Sequence, residues 1–137
     1  MTHLTIAGLF GLGLTALASA TLASAAPPAP AAGDATKGKA VFARCSVCHK
    51  IDKAAAGGIG PNLAGVYNRT AGQLPGYAYS PAMKASGLKW NDATLSRYLA
   101  GPTKVVPGTK MLAPPVASEQ DRTDLIAYLK TASAGKK

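Results

Sequence analysis

Cys45-Ser46-Val47-Cys48-His49 decides how this chain is read. Two thiols three residues apart, with an imidazole directly after the second, form the attachment signature of a c-type haem. The thiols add across the two vinyl groups of the porphyrin, and the histidine becomes an axial ligand of the iron. Both cysteines and one of the two histidines of the 137-residue chain are used there. Three competing readings are weaker. A redox dithiol expects a strand–helix setting, and nothing around residue 45 reads as a strand. A structural zinc needs four nitrogen or sulfur ligands, and the fourth would have to be His3, in a segment read below as removed. A plain disulfide leaves His49 without a role.

Upstream of the motif, residues 4–22 carry no charge and are rich in Leu, Ala and Gly, and Ala23-Ser24-Ala25 follows as a small-residue cleavage site before Ala26. Residues 1–25 therefore read as a secretory signal. The segment before the apolar run has no Lys or Arg, and the run is nearly long enough to span a bilayer, so a retained anchor is the alternative. Either way the domain is exported, which fits a bacterial periplasm. Residues 26–33 (APPAPAAG) read as an extended Pro/Ala linker that does not pack. One domain of about a hundred residues follows, 34–133, enough for a single core, and 134–137 form a basic tail.

All fifteen basic and six acidic residues lie after the signal, so the mature chain keeps the formal +9. Such an excess predicts an acidic partner met by steered encounter. The Lys and Arg residues are scattered with no aromatic-interleaved stripe, which argues against nucleic acid.

Local signals predict an all-α fold of about four helices joined by long loops. Asp34 caps a first helix that delivers the cysteines near its end. Gly57-Gly58-Ile59-Gly60-Pro61-Asn62 breaks the chain into loop. Ser80-Pro81 opens a short helix that Gly87 stops. Asn91 or Asp92 opens another, with Leu95, Tyr98 and Leu99 on one side, ended by Gly101-Pro102 before a further long loop. Ser118-Glu119-Gln120-Asp121 is a capping-box pattern, and Leu125, Ile126, Tyr128 and Leu129 form the last helix's apolar face. The periodic apolar surface is too small for these loops to pack on one another, and a buried haem would supply the missing core.

An iron held by one histidine has a second axial ligand or an open site. With the signal gone, the candidates are Met83, Met111 and the lysines. Met111 lies in Pro107-Gly108-Thr109-Lys110-Met111, a rigid turn distant in sequence from His49, and a thioether there raises the potential and closes the site to oxygen. Either methionine also suits plain core filling.

From Gly38 to Lys130 the chain resembles a class I cytochrome c of the short, mitochondrial-like type also found in bacterial periplasms. The matching stretches are CSVCH, GPNLAGVYNRTAGQLPGYAYS, GLKW, RYLAGPTK, VPGTKM and DLIAYLK, in the family's order. The resemblance implies the cytochrome c fold around one haem c, covalent through Cys45 and Cys48, with His49 proximal and Met111 distal. It implies that Pro61 O accepts the other ring N–H of His49, and that Thr109 belongs to the haem pocket. Tyr98 matches the tyrosine that hydrogen-bonds the methionine sulfur. Arg69, Tyr79 and Trp90 match donors to the inner haem propionate, a buried carboxylate that needs partners. Gly38 and Phe42 would pack against Leu125 and Tyr128.

Three departures bear on function. Met83 stands where the family often has asparagine, making the distal side less polar. Ala113 replaces an aromatic residue, and Pro114-Pro115 stiffen the ligand loop. Arg44, Lys104 and Lys110 match basic positions around the haem edge, whereas Thr103, Ala117 and Ser118 stand where lysines are common. The resemblance implies a monomeric one-electron Fe(III)/Fe(II) shuttle and no enzyme. Its partners would be acidic-surfaced redox proteins, a quinol-oxidising complex or dehydrogenase upstream and a terminal oxidase or reaction centre downstream. The rival classes are a tethered or complex-bound electron-transfer module, which would meet the membrane through a retained N-terminus, and a peroxidase with an open distal site.

Overall fold

A computed structural model describes residues 31–134; the signal, most of the 26–33 segment and residues 135–137 lie outside the described residues. Among the described residues five helices follow one another: α1 (Ala35–Phe42), α2 (Pro81–Ala85), α3 (Asp92–Ala100), α4 (Pro102–Val105) and α5 (Glu119–Ala134). Among the described residues, strand structure is confined to a single antiparallel bridge between Thr70 and Lys89.

The caps sit where the side chains can satisfy free N–H groups. The Asp34 carboxylate accepts from the N–H groups of Thr36 and Lys37, Ser80 Oγ from Met83, and Asn91 and Thr94 cap reciprocally. Ser118 Oγ accepts from the Asp121 N–H at 3.1 Å to open α5. The fifth helix is α4, where the sequence suggested only a breaker. Proline's fixed φ and missing N–H suit a first helical turn, so Pro102 ends α3 and opens α4 in one step. Gly101 O accepts from Lys104 and Val105.

Two crossings frame the molecule. α1 lies across α5 at Gly38, where a Cβ would stand 2.5 Å from the carbonyl carbon of Asp124 and 2.9 Å from Tyr128 Cβ. Only a residue without Cβ permits this approach. Phe42 then meets Tyr128, ring centroids 5.4 Å apart. The Leu125 side chain is 1% exposed beneath them, a burial that stabilises by about 1.5–3 kcal/mol. Asp124 is also buried at this crossing, beside the predicted apolar face; its carboxylate accepts from the Asp34 N–H and from Gln120 Nε2. Those bonds hold its pKa below the ordinary carboxylate value, in spite of desolvation.

The 26–33 segment is not free of the domain at its end. A Cβ on Gly33 would stand 2.5 Å from Thr123 O and 2.9 Å from Ala127 Cβ, so its backbone lies against α5. Apart from Ala71, Val106 and Ile126, every residue of the apolar core faces one internal cavity. The helices surround that cavity instead of filling the interior themselves.

Candidate functional site

After α1 the chain keeps turning. The N–H groups of Cys45 and Ser46 donate to Phe42 O, and those of Cys48 and His49 to Cys45 O. This turning brings both thiols and the imidazole to one wall of the cavity. Neither cysteine is in a disulfide. Burial pushes the Cys45 thiol above its usual pKa, with Arg44 pulling the other way. Among the described residues, no group of three or more His, Cys, Asp or Glu side chains is placed to hold a metal ion by itself, which leaves the zinc reading without a ligand set.

The His49 ring is held by two neighbours. Its Nδ1 lies 2.8 Å from Pro61 O. A carbonyl oxygen only accepts, which assigns the proton to Nδ1 and leaves the Nε2 lone pair for a metal. Gly60 makes room for the ring, because a Cβ there would stand 2.7 Å from Nδ1 and 2.9 Å from Nε2. Asn62 fixes the loop that presents both residues, donating from Nδ2 to Asp52 O and Ala55 O and accepting from the Ala64 N–H.

Another wall comes from a short backbone pairing. The Asn68 N–H donates to Trp90 O, the Trp90 N–H to Arg69 O and the Ala71 N–H to Leu88 O. Arg69 and Trp90 are thereby adjacent despite 20 intervening residues. Arg69 gives Nη1 to Ala64 O and Nη2 to Asn62 O. A guanidinium has five N–H donors, so donors remain for an anionic group. Burial lowers the Arg69 pKa and raises that of Tyr79, with each partly offsetting the other's shift. Trp90 packs on Tyr98 with centroids 5.0 Å apart.

Met111 enters from the loop after α4. Thr109 Oγ1 accepts from the Met111 N–H at 3.2 Å and lies 2.8 Å from Tyr98 Oη. The recorded partner of the Tyr98 hydroxyl is thus Thr109, where the resemblance pointed to the methionine sulfur. Burial raises the Tyr98 pKa, keeping the phenol protonated, while the Thr109 contact opposes the shift.

All ten residues singled out from the sequence (Cys45, Cys48, His49, Pro61, Arg69, Tyr79, Trp90, Tyr98, Thr109 and Met111) line this cavity of about 610 Å³. Met83 and Ala113, two of the family departures, line it as well. A separate groove of about 750 Å³ beside Gly33, between α3 and α5, presents no thiol, imidazole or thioether. The residues present fit a haem. Two free thiols and an imidazole with its lone pair available meet in an apolar space of cofactor size, and Arg69 stands ready for a carboxylate. The sequence reading took Gly60 only as part of a loop-breaking run; its role in seating the His49 ring could have been suspected from its place before Pro61.

The cytochrome c family model matches residues 35–133. The chain is 52% identical over 98 residues to cytochrome c2 of Rhodoblastus acidophilus, covering 72% of this chain and 92% of that protein. It is 50% identical over 101 residues to cytochrome c2 of Rhodomicrobium vannielii, covering 74% and 81%. The solved structure of cytochrome cH from Methylobacterium extorquens superposes with a TM-score of 0.68 at 48% identity, over 72% of this chain and 99% of that one. With the motif, the cavity and the match along the whole helical domain in agreement, this chain belongs to the cytochrome c family, electron carriers that work through a covalently attached haem c.

Proposed function

We propose that this protein is a diffusible one-electron shuttle of an exported compartment, in which His49 and Met111 would hold the haem iron. The observation that carries the reading is the meeting of Cys45, Cys48, an Nε2-free His49 and Met111 on one cavity. When bound, the haem supplies the Fe(III)/Fe(II) couple. Cys45 and Cys48 would hold it covalently, and Pro61 O orients the His49 ring. Thr109 Oγ1 accepts from the Met111 N–H and shares a hydrogen bond with Tyr98 Oη, which ties the methionine loop to α3. Arg69, Tyr79 and Trp90 satisfy a propionate. His49 and Met111 together would leave the bound group little to rearrange on electron transfer and no room for peroxide, so no enzymatic turnover is expected.

Partners are redox proteins with acidic surfaces, a quinol oxidiser or dehydrogenase on one side and an oxidase or reaction centre on the other. Among the described residues no helix is long and apolar enough to cross a membrane. Residues 1–25 act as a cleaved signal for the periplasm, 26–33 as the joining segment and 134–137 as a basic tail, on a monomer.

The ferric spectrum tests the ligand pair. A low-spin form with the weak sulfur-to-iron charge-transfer band, lost in Met111→Ala, is expected; a high-spin form that binds carbon monoxide rapidly when reduced would establish the open-site rival. Mass spectrometry of the native protein should find a chain starting at Ala26, and one starting at Met1 would favour the tethered module. Electron transfer to membranes of the source should slow as salt rises; rates indifferent to salt would refute the electrostatic encounter.

A further inference from the structure

Past Met111 the chain runs through Leu112, Ala113, Pro114 and Pro115 to Val116 without regular secondary structure. Val116 is 4% exposed, and its N–H donates to Leu99 O on α3 at 2.9 Å. Arg122 of α5 reaches over this point. Its Nη1 donates to Val116 O at 2.8 Å and to Ala117 O at 2.7 Å, and its Nε to Ser96 Oγ of α3 at 3.2 Å. One guanidinium therefore ties α3, α5 and the trailing end of the methionine loop together. A planar fork of donors suits three acceptors in fixed directions; a lysine ammonium is a point charge on a flexible stem. Between clamp and thioether lie two prolines with φ held near −65°. They make the link from Val116 back to Ala113 a stiff arm.

We propose that Arg122 is a positioning residue for Met111: by clamping the Val116 and Ala117 carbonyls it acts through the Pro114-Pro115 arm to hold the thioether in the cavity against competing ligands. The inference rests on Met111 being the distal ligand. Opening the loop while α5 stays folded breaks hydrogen bonds from a charged donor, each worth about ten-fold or more in an equilibrium. The leading end of the loop has its own ties, through Thr109 and through Lys110 Nζ to Ala78 O at 2.8 Å. Loss of Arg122 should therefore loosen the trailing side alone, leaving it the Val116 N–H bond to Leu99 O.

The test uses the haem-loaded ferric protein and imidazole as the competing ligand, followed by loss of the sulfur-to-iron band. Arg122→Met should bind imidazole about ten-fold or more tightly than wild type, and Arg122→Lys should fall between. Asp34→Ala serves as control, because it removes the α1 cap without touching the loop and so lowers stability while leaving imidazole affinity unchanged. In a Pro114→Ala/Pro115→Ala background the Arg122→Met effect should shrink, as expected of coupled positions. Arg122→Met and Arg122→Lys proteins with wild-type imidazole affinity, or an affinity gain equal to that of Asp34→Ala, would overturn the proposal. If Arg122→Met does not fold, Arg122→Lys decides alone. A wild-type protein without the band refutes the ligand reading, and the positioning role falls with it.

Discussion

Gly38→Ala sets two effects of known sign against each other. On an isolated helix alanine is favoured over glycine by about 1 kcal/mol, so local propensity predicts a more stable protein. At the α1–α5 crossing the new methyl would stand 2.5 Å from the Asp124 carbonyl carbon and 2.9 Å from Tyr128 Cβ. Ordinary contact begins near 3.4 Å, so the helices must separate by roughly 1 Å, and the main obstacle is backbone that cannot rotate away. Separation also loosens Phe42 against Tyr128 and the packing of Leu125. Overpacking costs about 1–3 kcal/mol, and a rigid obstacle places this site at the upper end. The net loss should be about 2 kcal/mol after the propensity gain, which lowers Tm by roughly 10 °C in a domain of this size. Thermal unfolding of the haem-loaded protein followed by far-UV circular dichroism measures it. A Tm equal to or above wild type would show that the crossing tolerates a Cβ and that its closeness is not what holds α1 to α5.

Gly60→Ala should displace the His49 ring, whose Nδ1 and Nε2 lie 2.7 and 2.9 Å from the new carbon; the expected result is low haem incorporation or an altered low-spin spectrum, and a normal spectrum at full loading would contradict it. Thr109→Val removes the acceptor of the Met111 N–H and the partner of Tyr98, costing about 1–3 kcal/mol for a buried pair left unmade; the sulfur-to-iron band should fade at lower denaturant than in wild type, and coincident midpoints would argue against it. Asp124 has a folded-state pKa below its unfolded value, owing first to the Asp34 N–H and then to Gln120. Its stabilisation is complete above the unfolded carboxylate pKa of about 3.9 and disappears as pH falls through the lower folded value. Denaturant midpoints measured below pH 6 should therefore decline less steeply for Asp124→Asn than for wild type, and parallel profiles would assign acid sensitivity to other groups.

Much of the site was legible from residue order because its chemistry is local. The spacing of Cys45, Cys48 and His49 is a property of one turn, and the caps at Asp34, Ser80 and Asn91 act within three residues. Met111 could be singled out for its loop, but the residues that hold that loop are far away in sequence. Arg122 and Ser96 lie 26 residues apart and meet only across α3 and α5. Asp124 gave no signal beside the apolar face of its helix; it is buried where its carboxylate accepts from the Asp34 N–H, 90 residues away. Pro102 read as a breaker because a proline that ends one helix and a proline that starts the next look alike in sequence.

Composition, the CSVCH motif and the capping signals by themselves determined that this is a helical chain with a covalent haem, since thiol chemistry and the first turn of a helix depend on neighbours in sequence. Only the tertiary structure decided how the cavity is closed. It showed that Gly60 seats the His49 ring, that Thr109 stands between Tyr98 and Met111, and that Arg122 bonds the Val116 and Ala117 carbonyls behind the thioether. Hydrogen bonds and close approaches of that kind depend on distances between segments that the fold alone brings together, and no local pattern encodes them.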